Sequence, residues 1–303
     1  PDPDYTNTKS PNPEVDASYE LAIKLAKEVD ADVVAITDPD GDRLGVVAKH
    51  NGEYVLMSGN QSAAVYLEYI LSQRKEKGTL PDNAVMYNTI VTSDLGELVA
   101  RNYGVDVEKT LTGFKFIGDK IRKYEKTHEK QFIFGYEESY GCVVEDFVRD
   151  KDAVQAVLLA AECGNYYKKQ GKDLIDVLNE LYAKYGTFKE SQIALAKAGA
   201  AGAARIKEMM DTLRQDKPTE IGGVKVVLSE DYATSERSDG TTIDLPKSNV
   251  LKYYLEDGSW IAARPSGTEP KCKFYFSIKG KDAKDAADKT EVFHKAMMEL
   301  IGE

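Results

Sequence analysis

Between Gly59 and Tyr185 short apolar runs alternate with amphipathic stretches of helical length, and this alternation restricts the fold more than any other feature. The spacing predicts a helix over Ser62 to Lys75, a strand over Ala84 to Ile90, and a helix over Asp94 to Tyr103. Ser93 is placed to N-cap that last helix and Gly104 to end it. A helix over Phe116 to Lys126, a strand over Gln131 to Phe134, and helices over Asp152 to Lys169 and Leu174 to Tyr185 continue the series. Strands separated by helices at this interval build a mostly parallel sheet covered by helices. Upstream, a proline-rich stretch ends at Pro13, and a helix is expected from Glu14 to Val29 with Leu21, Ile23, Leu25 and Ala26 as its apolar positions. Strands follow over Val33 to Ile36, Leu44 to Ala48 and Tyr54 to Met57, the last two turning at Asn51-Gly52.

After Gly186 the rhythm changes. A helix is expected from about Gly199 to Arg214, strands at Val224 to Leu228, Val250 to Leu255, Trp260 to Ala263 and Cys272 to Ile278, and a final helix over Ala283 to Ile301. That helix carries Val292, Phe293, Ala296, Met297, Leu300 and Ile301 as its apolar side. The expected class is therefore α/β: mixed-sheet α/β domain(s) with helices packed on the sheet, then a smaller C-terminal α+β domain with an antiparallel sheet. The expected divisions are 1–55, 56–187 and 188–303.

Charge and composition narrow the function. Lys plus Arg number 40 against 51 Asp plus Glu, a net charge of −11. That excludes the dense basic face a nucleic-acid binder needs. No apolar run approaches the roughly 20 residues of a membrane span. The three cysteines, Cys142, Cys163 and Cys272, form no CxxC pair and suit a reducing compartment, so a cytoplasmic location is expected. His50, His128 and His294 show no metal-ligand spacing; solvated roles are expected for all three, and zinc or haem chemistry is not.

Three segments carry chemistry. Directly after an apolar strand, Asp38-Pro-Asp40-Gly-Asp42-Arg43 places carboxylates at alternate positions in a glycine-relieved turn. Hard oxygen ligands of this kind suit Mg²⁺, and Arg43 beside them can hold a phosphate oxygen. The second segment is Gly135-Tyr-Glu137-Glu138-Ser139-Tyr-Gly141, whose acceptors and hydroxyl between glycines suit sugar hydroxyls. In the third, Arg264-Pro-Ser266-Gly267-Thr268-Glu-Pro-Lys271, hydroxyls, a freed backbone and flanking cations make an anion cradle. Thr112, Gly113 and Lys115 form a weaker loop signal, and Lys151 precedes a helix. Each of these segments also reads as an ordinary solvated turn when taken alone.

Together the segments resemble the α-D-phosphohexomutase superfamily, specifically a bacterial-type phosphoglucomutase/phosphomannomutase. The resemblance implies Mg²⁺ on Asp38, Asp40 and Asp42, hexose contacts from Glu137 and Ser139, and a further substrate loop at Thr112, Gly113 and Lys115. It also implies a clamp for the non-reacting phosphate at Arg264, Ser266, Gly267, Thr268 and Lys271, with Arg43 and Lys151 catalytic and Lys151 moving a proton. The expected reaction is isomerisation of hexose 1- and 6-phosphates through a phosphoserine and a bisphosphate. One departure stands out: the family's serine lies in a Thr-Ala-Ser-His-Asn-Pro-like loop, and no Ser-His pair occurs here. The expectation is a fragment lacking the N-terminal phosphoserine domain, its missing partner, and inactive by itself. An aspartyl-phosphate phosphatase, using Asp38 and Asp40, and an inactive Mg²⁺/phosphosugar-binding chain are the alternatives.

Overall fold

The fold comes from a computed structural model that describes residues 2–8, 10–197, 199–267 and 269–303. The chain divides into two compact units, residues 1–185 and 186–303. In the first, a short 3₁₀ turn leads into α1 (Glu20–Val29) and then β1 (Val33–Thr37), β2 (Leu44–His50) and β3 (Glu53–Met57). These strands form an antiparallel sheet in which Ala35 pairs Val46 and Ala48 pairs Val55. Helix α1 seats Ala26, with Tyr19 just before it, on Val34 and Val47. Leu21 and Leu25 are instead 54% and 58% exposed. Of the helix's apolar positions, Ala22, Ile23 and Ala26 are the ones on its sheet-facing side.

The alternation after Gly59 folds as predicted in kind. Elements α2 (Gly59–Glu76), β4 (Ala84–Thr89), α3 (Leu95–Asn102), β5 (Asp106–Thr110), α4 (Phe114–Thr127), β6 (Gln131–Tyr136), β7 (Cys142–Val143), α5 (Ala153–Lys168) and α6 (Leu174–Tyr185) follow in order. The second sheet runs β5-β4-β6-β7, with β4 parallel to β5 and β6, and β7 antiparallel at the edge. Strand β4 is buried along its whole length, as a central strand covered on both faces must be. Helix α4 closes one face by packing Phe114, Ile117 and Ile121 on Val85, Tyr87 and Phe132. Strand β5, Asp-Val-Glu-Lys-Thr, has no apolar run. Its Glu108 is held by Lys120 at 2.9 Å and by the Tyr124 hydroxyl at 2.8 Å on α4, so charge pairing replaces apolar packing. Ser93 does not take the N-cap position, which falls to Asp94, but its hydroxyl accepts the Leu95 N–H at 3.4 Å.

The second unit holds β8 (Thr187–Ala196), α7 (Gly199–Asp216), β9 (Glu220–Ile221), β10 (Val224–Asp231), β11 (Glu236–Arg237), β12 (Leu251–Leu255), β13 (Trp260–Pro265), β14 (Lys271–Gly280) and α8 (Ala283–Leu300). Its antiparallel sheet runs β11-β10-β12-β13-β14-β8, with β9 also paired to β10. Helices α7 and α8 bury Ile206, Met209, Met210, Phe293 and Met297 against Leu251, Tyr253, Phe274 and Phe276. On α8 the inward positions are Ala286, Thr290, Phe293 and Met297. Val292 is 50% exposed because it falls off that 3.6-residue stripe, and Leu300, the last residue of the helix, is 38% exposed. His294 is not a solvated side chain either. Its Nε2 lies 2.7 Å from the Ser191 hydroxyl, its ring rests 4.5 Å from that of Phe276, and burial lowers its pKa.

Candidate functional site

Thr37 pairs with Leu44 across the β1–β2 ladder, so residues 38–43 are the loop of an antiparallel hairpin rather than a strand-to-helix crossover. Gly41 takes φ +69°, a left-handed conformation that costs glycine little, and its N–H donates to the Asp38 carbonyl at 3.1 Å. Asp38 Oδ1 accepts the N–H groups of Asp42 and Arg43 at 3.1 and 3.0 Å, which folds the loop back on itself. One carboxylate oxygen from each of Asp38, Asp40 and Asp42 then lies within 4.8 Å of the others. Burial and the adjoining carboxylates raise the Asp38 pKa. Asp42 Oδ1 is buried with no hydrogen-bond donor, and the Arg43 Nε stands 3.7 Å from it and from Asp38 Oδ2. Converging like charges with an unsatisfied buried oxygen fit a small hard cation that would supply the missing positive charge.

The other unit-one segments come to the same place. The 137–141 loop follows β6, and its Tyr140 carbonyl accepts the Leu44 N–H at 2.9 Å, while Gly141 bridges Arg43. At the start of α5, the Ala153 N–H donates to the Gly41 carbonyl at 3.0 Å, and Lys151 Nζ reaches Asp42 Oδ2 at 2.7 Å. A Cβ on Gly141 would lie 2.1 Å from the Lys151 Cδ, so glycine there is what lets the lysine pass. Buried Glu137 accepts the Gly113 N–H at 2.7 Å, tying the Thr112-Gly113 turn to the same loop. Gly113 itself sits at φ +112° immediately before α4. Ser139 and Thr112 are half-buried and Lys115 is exposed, its ammonium 5.0 Å over the Phe116 ring. Lys115 and Lys151, with Arg122 and Arg149, line a concavity of about 730 Å³.

Two residues support the site from outside the expected set, although Glu138 lies within the 135–141 segment. Glu138 accepts the hydroxyls of Thr89 at 3.2 Å and Thr92 at 3.4 Å, anchoring the 137–141 loop to the end of β4, and burial raises its pKa. Gly59 opens α2 against that loop: a Cβ there would stand 2.4 Å from the Glu138 carbonyl oxygen and 2.7 Å from the Tyr140 nitrogen. Both contacts are backbone and cannot swing aside. Gly59→Ala is therefore expected to cost roughly 1–3 kcal/mol by overpacking and to displace the 137–141 loop. Chemical unfolding of the variant measures the first effect, and amide shifts of residues 137–141 the second.

The remaining segment lies in the second unit. Arg264, next to last in β13, has its Nη1 donating to the Tyr275 hydroxyl at 3.4 Å. The loop to β14 closes by the Ser266 N–H donating to the Lys271 carbonyl at 2.7 Å and by the Glu269 N–H donating to the Ser266 Oγ at 3.3 Å. Gly267 is exposed with open space around its Cα, and Lys271 is half-buried. Thr268 lies outside the described residues.

A hairpin loop of three carboxylates, edged by cations and stitched to a polar loop after a parallel strand, is the arrangement of an α/β protein equipped for a divalent cation beside an anion. Family comparison agrees with that class. Residues 1–52 match phosphoglucomutase/phosphomannomutase α/β/α domain II, residues 58–185 match domain III, and residues 196–293 match the C-terminal domain. The chain belongs to the phosphoglucomutase/phosphomannomutase family. It is 39% identical over 283 residues to a phosphoglucomutase of Staphylococcus haemolyticus, covering 91% of this chain and 50% of that protein. With a phosphoglucomutase of Staphylococcus aureus it is 39% identical over 295 residues, 95% of this chain and 52% of the other. The chain thus spans about half the length of these curated relatives. Among solved structures, the open form of the Paramecium phosphoglucomutase pp63/parafusin superposes with a TM-score of 0.69 at 20% identity, covering 97% of this chain and 51% of that one. A phosphoglucomutase/phosphomannomutase family protein of Burkholderia thailandensis gives 0.61 at 19% identity, covering 96% and 51%. Both share the fold. No helix among the described residues is long and apolar enough to cross a membrane, and the three cysteines are free and buried.

Proposed function

We propose that this chain supplies the metal, sugar and distal-phosphate parts of a phosphohexomutase that interconverts hexose 1-phosphate and 6-phosphate in the cytoplasm. The observation that carries this reading is the convergence of the 38–43 and 137–141 loops with Lys151. Asp38, Asp40 and Asp42 would hold Mg²⁺, whose role is to neutralise charge on a phosphoryl group in transfer. Arg43 adds a cation at the edge of that trio and is free to turn from Glu14, its 2.6 Å partner, toward a phosphate oxygen. Lys151, held on Asp42, is positioned to give a proton to, or take one from, the sugar oxygen that gains or loses phosphate. Glu137 and Ser139 orient the hexose hydroxyls, and Thr112, Gly113 and Lys115 add a second edge to the substrate loop. Arg264, Ser266, Gly267, Thr268 and Lys271 hold the phosphate that does not react. The aspartyl-phosphate alternative is not favoured, since the relatives are phosphoglucomutases and the family domains cover residues 1–52, 58–185 and 196–293.

The phosphoserine is assigned to a separate domain that would act as this chain's partner. A chain of these 303 residues is expected to bind Mg²⁺ and a hexose phosphate without sustained turnover. Calorimetric titration with glucose 1-phosphate in Mg²⁺, beside a coupled mutase assay, tests both halves. Absence of binding would sink the site, and turnover by clean chain would sink the serine assignment. Arg264→Ala is expected to remove a charge-assisted contact of about 1.5–3 kcal/mol, weakening glucose 1-phosphate roughly 10–150-fold. An unchanged Kd counts against the clamp.

A further inference from the structure

We propose that His50, Asp173 and Asp176 form a second, structural cation site that takes a borderline divalent ion such as Zn²⁺. His50 ends β2 beside the Asn51-Gly52 turn; Asp173, 123 positions further along the chain, immediately precedes α6, and Asp176 lies in that helix's first turn. The strand runs about 20 Å from Leu44 to His50, so this cluster stands at the far end of β2 from the 38–43 loop. One atom from each of the three side chains lies within 4.8 Å of the others.

Both carboxylates divide their oxygens the same way. Asp173 Oδ1 caps the helix, accepting the N–H groups of Ile175 at 2.8 Å and Asp176 at 3.0 Å. Asp176 Oδ2 accepts the Asp173 N–H at 2.9 Å. The oxygens not used in capping both turn toward His50 Nδ1, Asp173 Oδ2 at 2.8 Å and Asp176 Oδ1 at 3.8 Å. A single Nδ1–H can satisfy one of them, and 3.8 Å is beyond a hydrogen bond. Donor atoms around tetrahedral zinc lie roughly 3.4 Å apart, given metal–ligand bonds of about 2.0–2.2 Å, and the observed separations straddle that value. Imidazole nitrogen with two carboxylates suits Zn²⁺ and its neighbours and does not suit Mg²⁺.

The outer shell is also present. Asn51 Nδ2 lies 2.9 Å from His50 Nε2. With the metal on Nδ1, the ring proton moves to Nε2, and a flipped Asn51 amide presents its oxygen to accept it. The ion would tie the β2–β3 hairpin, in the segment matching domain II, to α6 in the segment matching domain III.

Histidine ring nitrogens labelled with ¹⁵N provide the test, recorded on the full chain in saturating Mg²⁺ while Zn²⁺ is added. The oxygen-only 38–43 loop is then occupied and has no nitrogen to report. One Nδ1 signal should shift to a metal-bound position, and that signal should be missing from His50→Gln, whose affinity for this Zn²⁺ should fall on the order of 100-fold. Asp173→Asn with Asp176→Asn retains oxygen caps for the helix, so it should fold, show the His50 signal, and leave it unshifted by Zn²⁺. No ring nitrogen responding to Zn²⁺, or a response that survives in His50→Gln and so belongs to His128 or His294, overturns the site. These outcomes are independent of hexose phosphate binding.

Discussion

Asp38→Asn is expected to do two opposite things: remove divalent-cation binding at the 38–43 loop and raise the melting temperature of the metal-free chain. The loop geometry survives the change, because an asparagine oxygen still accepts the Asp42 and Arg43 N–H groups that Asp38 Oδ1 holds at 3.1 and 3.0 Å. What disappears is one of three charges that burial and mutual repulsion already penalise. Without a cation the wild-type loop stores that repulsion, so neutralising one member stabilises the fold. With a cation the same carboxylate is a ligand, and losing it should weaken Mg²⁺ on the order of 100-fold or more. Thermal unfolding in EDTA and in excess Mg²⁺ separates the two. The wild-type chain should gain several degrees on adding Mg²⁺, whereas Asp38→Asn should start higher and gain nothing. A wild-type melting temperature indifferent to Mg²⁺, or a variant that keeps the full gain, would remove the loop from the metal assignment.

Lys151→Met should separate chemistry from binding. The lysine is nearly buried, with 13% of its side chain exposed, and its ammonium is 2.7 Å from Asp42 Oδ2. Methionine keeps most of the stem that fills the space left by Gly141, so the fold should persist. In an enzyme of the relatives' full length, a proton-transfer group contributes about 10²–10⁴-fold to rate, and kcat should fall by that range. KM should stay within a few-fold, since the hexose contacts assigned to Glu137 and Ser139 are untouched. Mg²⁺ should bind no more weakly, and competition from the ammonium at Asp42 is removed. A variant whose KM rises while kcat holds would make Lys151 a substrate-binding cation instead of a proton carrier.

The sequence determined the element types wherever apolar periodicity set them. The alternation from Gly59 to Tyr185 folded into a sheet with parallel β4, β5 and β6, and the strands after Gly186 into an antiparallel one. The Asp-Pro-Asp-Gly-Asp turn was legible because three carboxylates and the glycine that frees the turn lie within five residues. Strand β5 was not, since its stability comes from Glu108 meeting Lys120 and Tyr124 rather than from its own apolar content. The outward turn of Leu21, Leu25 and Val292 was hidden for a related reason: periodicity names the apolar positions of a helix, but the surface it packs on selects which of them face inward. Only tertiary structure could bring Lys151 to Asp42, Glu138 to Thr89, and Gly59 against the 137–141 loop. The same holds for His50, whose solvated reading gives way to a hydrogen bond with Asp173. Contacts between positions tens of residues or more apart leave no spacing in a sequence, because the chain between them, and not the residues themselves, fixes where they meet.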